Sequence, residues 1–403
     1  MDTHPYHSQR QSANTRNRNV SAILIGVAIW LFSNPAISAA GESTARQQAA
    51  GFLKDQISAV SKQLLKDFPE DAETIKSATI FHRQCNTPGK AMKVLEKGLK
   101  YNPRNAELCD LMGQIAFEMG EYDKAITYWE KALKVSPSWL NLNNNIADAM
   151  LSSGKNSEAV KQLEESIANK NFKALPAPYR SRSYFLLGQG YMQLGKYEEA
   201  KNHYEKALKI NPKYRRGNYW LGKVYLRLKQ PVKAKQHMQI HRKQLTAKAD
   251  RRSDLAEKNK LAVIDMSSNV ELKAFPEIMA GLCLRGSELY GAHNKTKKSE
   301  KLLAQGKEAL RKAITIYSKQ SDIYRELGFL YLVTNSNLSD ARELAEKAVA
   351  LEGSAKNYFV LSLICDRNFD RTNAIIAIRK ALELEPGNGM YRQKYNEMKK
   401  RKR

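Results

Sequence analysis

The feature that most constrains this sequence is a set of small and turn-forming residues that recur at intervals of 34. Pro103 and Pro137 are 34 residues apart, and so are Gly188 and Gly222. The same spacing separates two sets of alanines: Ala91, Ala125 and Ala159, then Ala200 and Ala234. A period of this length is typical of stacked helix–turn–helix units that bury their apolar faces against their neighbours. The sequence therefore predicts an extended protein built from repeated helix pairs.

The physical basis of the period is clearest in residues 181–214. Leu187 and Tyr191 are four residues apart, so they share one face of a first helix. Gly188 has no side chain beside that face, which lets a second helix approach closely. Gly195 supplies the unusual backbone angle of the turn between the two helices. The second helix then carries an apolar stripe with i, i+4, i+7 spacing: Ala200, Tyr204 and Ala207.

This unit resembles the tetratricopeptide repeat family, because YFLLGQGYMQLGKYEEAKNHYEKALKINP follows that family's Leu-Gly…Tyr…Ala…Tyr…Ala…Pro pattern. The Leu-Gly position recurs in six other units as Ala78-Thr79, Met112-Gly113, Ile146-Ala147, Leu221-Gly222, Leu327-Gly328 and Leu361-Ser362. The resemblance covers most of the chain after residue 70. It implies an all-α fold: a right-handed superhelical solenoid of antiparallel helix pairs, with about seven to eight repeats. It also implies a protein that binds other proteins.

The phase of the repeat predicts how the chain is divided. His241 stands where a small alanine would pack, so the second helix of that unit is expected to diverge or to run on. The predicted segments are 41–71 (N-terminal helix or linker), 72–248 (about five repeats), 249–280 (charged helix and linker), 281–388 (about three repeats, the first degenerate) and 389–403 (basic capping helix). The two repeat blocks form either separate domains or one continuous superhelix.

The first forty residues have the layout of a secretory signal peptide. Three arginines precede an uncharged apolar run from Val20 to Phe32, and small residues follow up to Ala40. The run is short for a membrane span, which needs about 20 apolar residues. We therefore expect cleavage after Ala40 and an exported chain, periplasmic or extracellular. An uncleaved membrane anchor is the alternative.

Cysteine usage indicates free thiols. The four cysteines are scattered through the sequence, without the paired spacing of a zinc site: Cys85, Cys109, Cys283 and Cys365. A helical offset of about ten residues places Cys85 and Cys109 beyond bridging distance. We expect buried, unbridged side chains.

Charge is the second strong feature, since the chain carries a formal net charge of +26. Residues 213–260 contain fifteen Lys or Arg against Asp250, Asp254 and Glu257. Acidic residues gather instead around the first helix of an earlier unit: Glu107, Asp110, Glu118 and Glu121. First helices line the concave side in this family, so the groove is expected to change sign along its length. Such a surface attracts an acidic protein, an anionic polymer or a membrane surface, although a merely solvated basic face is the alternative.

Two groups of residues are candidates for partner binding. Asn144 and Asn145 lie early in a first helix, where some family members grip peptide backbone through asparagine; capping the helix is the equally weighted alternative. The basic stretch adds cations and an aromatic residue at the next predicted groove positions: Arg216, Tyr219, Lys223 and Arg227. Nucleic acid is not expected as a partner, because Tyr225 is explained by the repeat core and export removes the chain from most nucleic acid.

No residue pattern in the sequence indicates catalysis. His237 and His241 are four residues apart and could reach one metal, but HMQIH lacks the glutamate of a zinc hydrolase and is surrounded by cations. Phosphate-binding loops and nucleophile elbows are missing, so we expect no enzyme, metal or cofactor. The sequence predicts a non-catalytic, exported scaffold that binds a peptide or helix of another protein in its concave groove. The alternative is a polyanion- or membrane-surface-binding protein that uses residues 213–260 and the basic tail.

Overall fold

The computed structural model describes residues 35–258 and 266–400, and over those ranges it contains α-helices and one 3₁₀ turn but no β-strand. The all-α prediction is confirmed. Ahead of the first predicted repeat lies α1 (Pro35–Asp67). The next ten helices are α2 (Ala72–Gln84), α3 (Pro88–Tyr101), α4 (Ala106–Glu118), α5 (Tyr122–Val135), α6 (Leu142–Ser152), α7 (Asn156–Ala168), α8 (Ala177–Gln193), α9 (Tyr197–Ile210), α10 (Arg215–Arg227) and α11 (Pro231–Lys258).

The remaining helices are α12 (Met266–Ala292), α13 (Thr296–Ile316), α14 (Ser321–Val333), α15 (Leu338–Leu351), α16 (Ala355–Arg367), α17 (Arg371–Leu384) and α18 (Gly389–Lys400). None of the helices within 35–258 and 266–400 combines the length and apolar character that a membrane span requires. The apolar run Val20–Phe32 lies outside the described residues, as does most of the predicted signal peptide. The predicted cleavage position after Ala40 falls within α1.

The chain divides into two compact units. Unit I consists of Ile57–Lys260 and Gly281–Leu302, and unit II consists of Met1–Gln56, Leu261–Ala280 and Leu303–Arg403. The helix α11 in unit I is 28 residues long, twice the 14 residues of α9, so the second helix that contains His241 runs on. The four cysteines are free and buried, as expected, and burial raises the pKa of Cys283 to about 12.

The turn inside each helix pair contains a residue with left-handed backbone geometry. In the pair α8–α9, Gly195 has a φ of 75° and its N–H donates to the Met192 carbonyl, while the Lys196 N–H donates to the Tyr191 carbonyl. These two bonds are the Schellman ending of a helix. Each of eight helix pairs has one residue with positive φ in its turn, and these residues are Asn86, Gly120, Gly154, Gly195, Lys229, Asn294, Asn335 and Phe369. The recurrence extends the repeat through the degenerate segment, since Asn294 lies between α12 and α13.

Within unit I, the two helices of a pair approach closely where the first helix carries glycine. A Cβ atom added to Gly188 would lie 2.8 Å from Cδ1 of Tyr204, a fully buried residue of α9. A Cβ atom added to Gly113 would lie 2.6 Å from Nε1 of Trp129 on α5. The close approach predicted at Gly188 is therefore confirmed.

Contacts distant in sequence also stabilise unit I. Asp71 accepts a hydrogen bond from the Thr74 N–H and so caps α2, and its buried carboxylate forms an ion pair with Arg285 of α12. The Tyr290 hydroxyl donates to Oδ2 of Asp67 at 2.6 Å. The end of α1 and the start of α2 are thus fixed by residues more than 200 positions later in the chain.

Unit II contains a buried ionic network on its first helices. Arg325 of α14 is 4% exposed and forms ion pairs with Asp322 and Glu326, and its Nη1 donates to Asn357 of α16 at 3.2 Å. Burial raises the pKa of Glu326, while Arg325 opposes that rise. Replacing one member of such a network leaves an uncompensated buried charge. The hydrogen bond from Arg325 to Asn357 is the part of the network that joins α14 to α16.

Exchanging residue types at equivalent turns tests the left-handed position. We expect Gly195→Ala to lower the free energy of unfolding by about 1 kcal/mol, because alanine is strained at positive φ. Lys229→Gly is expected to raise it by about 0.5–1 kcal/mol, because the same strain is relieved. Urea unfolding followed by circular dichroism measures both changes. Gly89→Ala, at a glycine without positive φ or crowding, is the control. Equal effects of Gly195→Ala and Gly89→Ala would contradict the assignment.

The hydrogen bond from Tyr290 to Asp67 predicts a pH-dependent contribution to stability. The Tyr290 hydroxyl, with Gln63 and Lys298, lowers the pKa of Asp67 from 3.8 to about 2. A carboxylate with a lowered folded-state pKa stabilises the protein above its unfolded pKa and loses that effect as the pH falls through its folded pKa. Tyr290→Phe should therefore destabilise by about 1–2 kcal/mol at pH 6. The difference from wild type should shrink between pH 3.8 and about 2.

Urea titrations across that range measure the difference. Tyr179→Phe, which alters a partly exposed tyrosine, should leave the pH profile unchanged. A Tyr290→Phe deficit that stays constant down to pH 2 would show that the hydroxyl does not act through Asp67.

Candidate functional site

Two pairs of neighbouring first helices in unit I, α2 with α4 and α6 with α8, are joined by polar contacts. Nζ of Lys76 on α2 lies 2.8 Å from Oε2 of Glu107 on α4. Nη2 of Arg182 on α8 lies 2.9 Å from Oδ2 of Asp148 on α6. Positions on α10 follow those on α8 by 34 residues, so Arg216, Lys223 and Arg227 correspond to Arg182, Gln189 and Gln193. We call this surface the first-helix face and define it by Lys76, Arg83, Glu107, Glu118, Asn145, Asp148, Arg182, Arg216, Lys223 and Arg227.

The acidic residues around α4 are matched by partners inside the protein. Glu107 pairs with Lys76, Glu118 with Arg83, and Glu121 with Lys124. Asp110 accepts hydrogen bonds from Nε1 of Trp129 at 2.8 Å and Nε2 of Gln114 at 2.9 Å. Burial raises the pKa of Asp110, and these hydrogen bonds oppose the rise. The predicted acidic end of the groove is thus largely neutralised by its own neighbours.

Unlike the acidic residues around α4, the cations of α10 are not matched by residues of opposite charge in the part of the chain that the structure describes. Its sequence, RRGNYWLGKVYLR, has four cationic residues and no acidic one. Arg216 and Arg227 are exposed, and neither they nor Lys223 form an ion pair with another residue that the structure describes. Arg216 instead lies with its guanidinium carbon 5.4 Å from the ring centroid of Phe185 on α8. This end of the first-helix face therefore has a net positive charge.

Aromatic rings lie under one of these cations. The Nζ atom of Lys223 is 4.8 Å from the ring centroids of both Tyr219 and Trp220, a cation–π distance. Tyr219 is half-buried, packs edge-on against Trp220 at 5.7 Å, and contacts the ring of His241 at 5.4 Å. The predicted residues of α10 follow one another at helical spacing of three and four residues, so they share one face of that helix.

The two predicted asparagines have different environments. Asn144 is 1% exposed; its Nδ2 donates to the Tyr179 carbonyl at 3.0 Å and its Oδ1 accepts from the Ser183 hydroxyl at 2.7 Å. A partner could reach it only if these bonds between α6 and α8 opened. Asn145 is half-buried, and its Oδ1 accepts from Arg182 at 2.9 Å. The Asn145 side chain donates no hydrogen bond to a described residue, so its Nδ2 hydrogens are available on the first-helix face.

One residue of this surface and one buried residue that supports it were missed in the sequence. Arg182 links α8 to α6, and the buried ring of Phe185 lies beneath the Arg216 guanidinium. The signal was present, since Arg182 and Phe185 precede Arg216 and Tyr219 by the 34 residues of the repeat. Extending the site by one repeat would have identified both.

The histidines of α11 are part of an aromatic cluster. His237 stacks on Tyr225 at 5.4 Å, and its Nδ1 lies 3.0 Å from Oδ1 of Asn218. Burial lowers the pKa of His237. Over the residues that the structure describes, no group of three or more His, Cys, Asp or Glu side chains is arranged to hold a metal ion.

Three segments of the chain match family models. Residues 106–139 and 355–388 match models described as tetratricopeptide repeat, and residues 188–229 match a model described as TPR repeat. The chain contains tetratricopeptide repeats. The segments include α4–α5, the end of α8 with α9 and α10, and α16–α17, so both units contain a matched segment.

Known proteins resemble parts of the chain. It is 27% identical over 260 residues to a DnaJ homolog subfamily C member 7 homolog from Schizosaccharomyces pombe, covering 61% of this chain and 46% of that protein. It is 24% identical over 172 residues to the human Protein O-mannosyl-transferase TMTC3, covering 40% and 18%. The chain thus spans less than half the length of either relative. Among solved structures, MamA from Desulfovibrio magneticus RS-1 is 20% identical, covers 44% of this chain with 98% of its own, and has a TM-score of 0.39.

The burial of Asn144 predicts a structural effect that Asn145 does not share. We expect Asn144→Ala to lower the free energy of unfolding by about 1–3 kcal/mol, because it removes two hydrogen bonds between α6 and α8, those of the buried Asn144 side chain with the Tyr179 carbonyl and the Ser183 hydroxyl. Asn145→Ala should cost less than about 1 kcal/mol, because its contact with Arg182 is half-exposed. Urea unfolding of the two variants measures this contrast, and equal destabilisation would contradict it.

Proposed function

We propose that this protein is a non-catalytic scaffold whose first-helix face binds an acidic segment of another protein. The observation that supports this most is the contrast along that face. Glu107, Glu118 and Asp148 of α4 and α6 are paired with cations. Arg216, Lys223 and Arg227 of α10 have no carboxylate partner among the described residues. A cationic surface next to a neutralised one attracts a short anionic segment and fixes where it binds.

The residues of the cluster have distinct roles in this proposal. The exposed guanidinium groups of Arg216 and Arg227 donate paired hydrogen bonds to carboxylates of the bound segment. The half-buried ring of Tyr219 gives its apolar side chains a surface to pack against. Asn145 donates its free amide N–H groups to a backbone carbonyl, which holds the segment independently of its sequence.

The absence of catalysis is also part of the proposal. Nothing of the transferase activity in the name of TMTC3 is extended to this chain, because the match covers 18% of that protein. We further propose that the chain is exported and meets its partner in the cell envelope, on the pattern of residues 1–40. An uncleaved N-terminal anchor is the alternative.

A second candidate is a protein that binds polyanions or anionic membrane surfaces. It is favoured by the fifteen cations against three acids in residues 213–260, and by the basic end of α18. Binding to a polyanion releases counterions, so its affinity falls steeply with salt. The paired carboxylates on α4 and α6 disfavour this candidate, because a long polyanion following the face would meet them.

Charge reversal on α10 tests the proposed function. The face variant combines Arg216→Glu, Lys223→Glu and Arg227→Glu, and the control combines Lys134→Glu, Lys161→Glu and Lys209→Glu on the exposed sides of second helices. Affinity capture from an envelope extract, with quantitative mass spectrometry and cross-linking, compares the two with wild type. We expect capture of a protein through an acidic segment, and its affinity should fall about tenfold or more in the face variant alone.

Two outcomes would overturn the proposal. Equal loss of capture in the face and control variants would show that net charge, not the first-helix face, determines binding. Retention of wild type on heparin or on anionic vesicles, with a steep salt dependence and no protein cross-linked to α8 or α10, would favour the polyanion candidate.

A further inference from the structure

Unit I contains a cavity of about 590 Å³ between the end of α1 and the helices α2 and α3. Its apolar floor includes Leu65 of α1, Ile75 of α2 and Val94 of α3. A volume of this size is within the range of small-molecule sites, about 300–1,000 Å³. None of the residues that define the first-helix face lines it, so the cavity is independent of the proposed function.

The rim of this cavity is strongly cationic. Five exposed lysines line it, two from α1 and three from α3: Lys62, Lys66, Lys93, Lys97 and Lys100. No carboxylate of a described residue lines the cavity. Like charges held around one opening repel each other, and an anion placed among them relieves that repulsion.

A buried polar atom in the cavity wall also lacks a partner. Ser61 lines the cavity and is 3% exposed, and its hydroxyl forms no hydrogen bond with a described residue. A buried hydroxyl without a partner costs free energy comparable to a lost hydrogen bond. This hydroxyl has almost no accessible surface, so a ligand contacts it only if the Ser61 side chain rotates toward the cavity.

The chemistry of the floor selects among anionic ligands. A peptide would bring N–H and C=O groups against Leu65, Ile75 and Val94, where they would lose their hydrogen bonds to water. An alkyl chain has no such groups and gains free energy from burial against the same residues. The lysine rim then requires a negative group at one end of that chain.

We propose that this cavity binds an amphiphile with a single alkyl chain and an anionic head group, the chemistry shared by fatty acids and alkyl phosphates. The alkyl chain lies against Leu65, Ile75 and Val94. The head group is bound by the lysines of α1 and α3.

Calorimetric titration of the full chain tests this proposal. The probes are decanoate, decyl phosphate, the uncharged decyl glucoside and inorganic phosphate, each below its micelle concentration. We expect saturable one-to-one binding of decanoate, decyl phosphate or both, and which of them binds identifies the head group. Decyl glucoside and inorganic phosphate, each lacking one half of the ligand, should bind more weakly.

Matched variants locate the site. Lys66→Gln with Lys97→Gln should weaken binding about fivefold, since each exposed charge contributes modestly. Lys54→Gln with Lys161→Gln changes two exposed lysines, on α1 and α7, that do not line the cavity, and should leave binding unchanged. Val94→Trp fills the floor and should abolish binding while the urea midpoint shows that the fold is retained.

The proposal would be overturned if neither decanoate nor decyl phosphate bound. It would also be overturned if decyl glucoside bound as tightly as they do and the lysine variants had no effect on binding. Stronger binding of inorganic phosphate than of either amphiphile would show that the floor is not used. Tighter, Lys66- and Lys97-dependent binding of an alternating Glu–Leu peptide would assign the cavity to a peptide. If Val94→Trp unfolds the protein, the lysine pair, which lies on the surface, still decides the outcome.

Discussion

The close contact between the two helices of each pair is the constraint on which the surface of unit I depends. Small residues stand where the helices meet, and Ala91, Ala125, Ala159, Ala200 and Ala234 are all almost completely buried. Larger side chains at these positions would separate the helices and shift the first helices relative to one another. The polar contacts along the first-helix face, at separations of 31 to 37 residues, exist because this spacing is kept.

Cations have two different functions within unit I. Lys76, Arg83 and Arg182 join neighbouring first helices and are satisfied by carboxylates of the same chain. Arg216 and Arg227, like the lysines around the α1–α3 cavity, have no such acceptor among the described residues. Net charge alone does not separate these groups, whereas the position of each carboxylate does. The proposed binding surfaces are those where the protein supplies positive charge and leaves the negative charge to a partner.

The sequence predicted contacts within a helix pair correctly, but it did not predict features that depend on packing between pairs or against α1. The contact of Gly188 with Tyr204 and the turn at Gly195 could be predicted, because both lie within one helix pair, where sequence spacing determines which residues are adjacent. Asn144 and Asn145 could not be separated in this way: a shift of one residue turns a side chain by about 100°, and the burial of Asn144 depends on how α8 packs. The α1–α3 cavity requires α1, which lies outside the repeat, and so no periodic signal could indicate it.

The ion pair between Asp71 and Arg285 joins residues 214 positions apart. Chains grow at about 5–20 residues per second, so Arg285 is made some 10–40 s after Asp71. Until then, the helices of the earlier repeats can pack against their nearest neighbours. Asp71 and the nearby Phe68 cannot yet contact Arg285 and Tyr290, which have not been synthesised. Most of unit I can thus assemble in the order in which it is synthesised, but the junction of α1 and α2 is completed only when a much later part of the chain arrives.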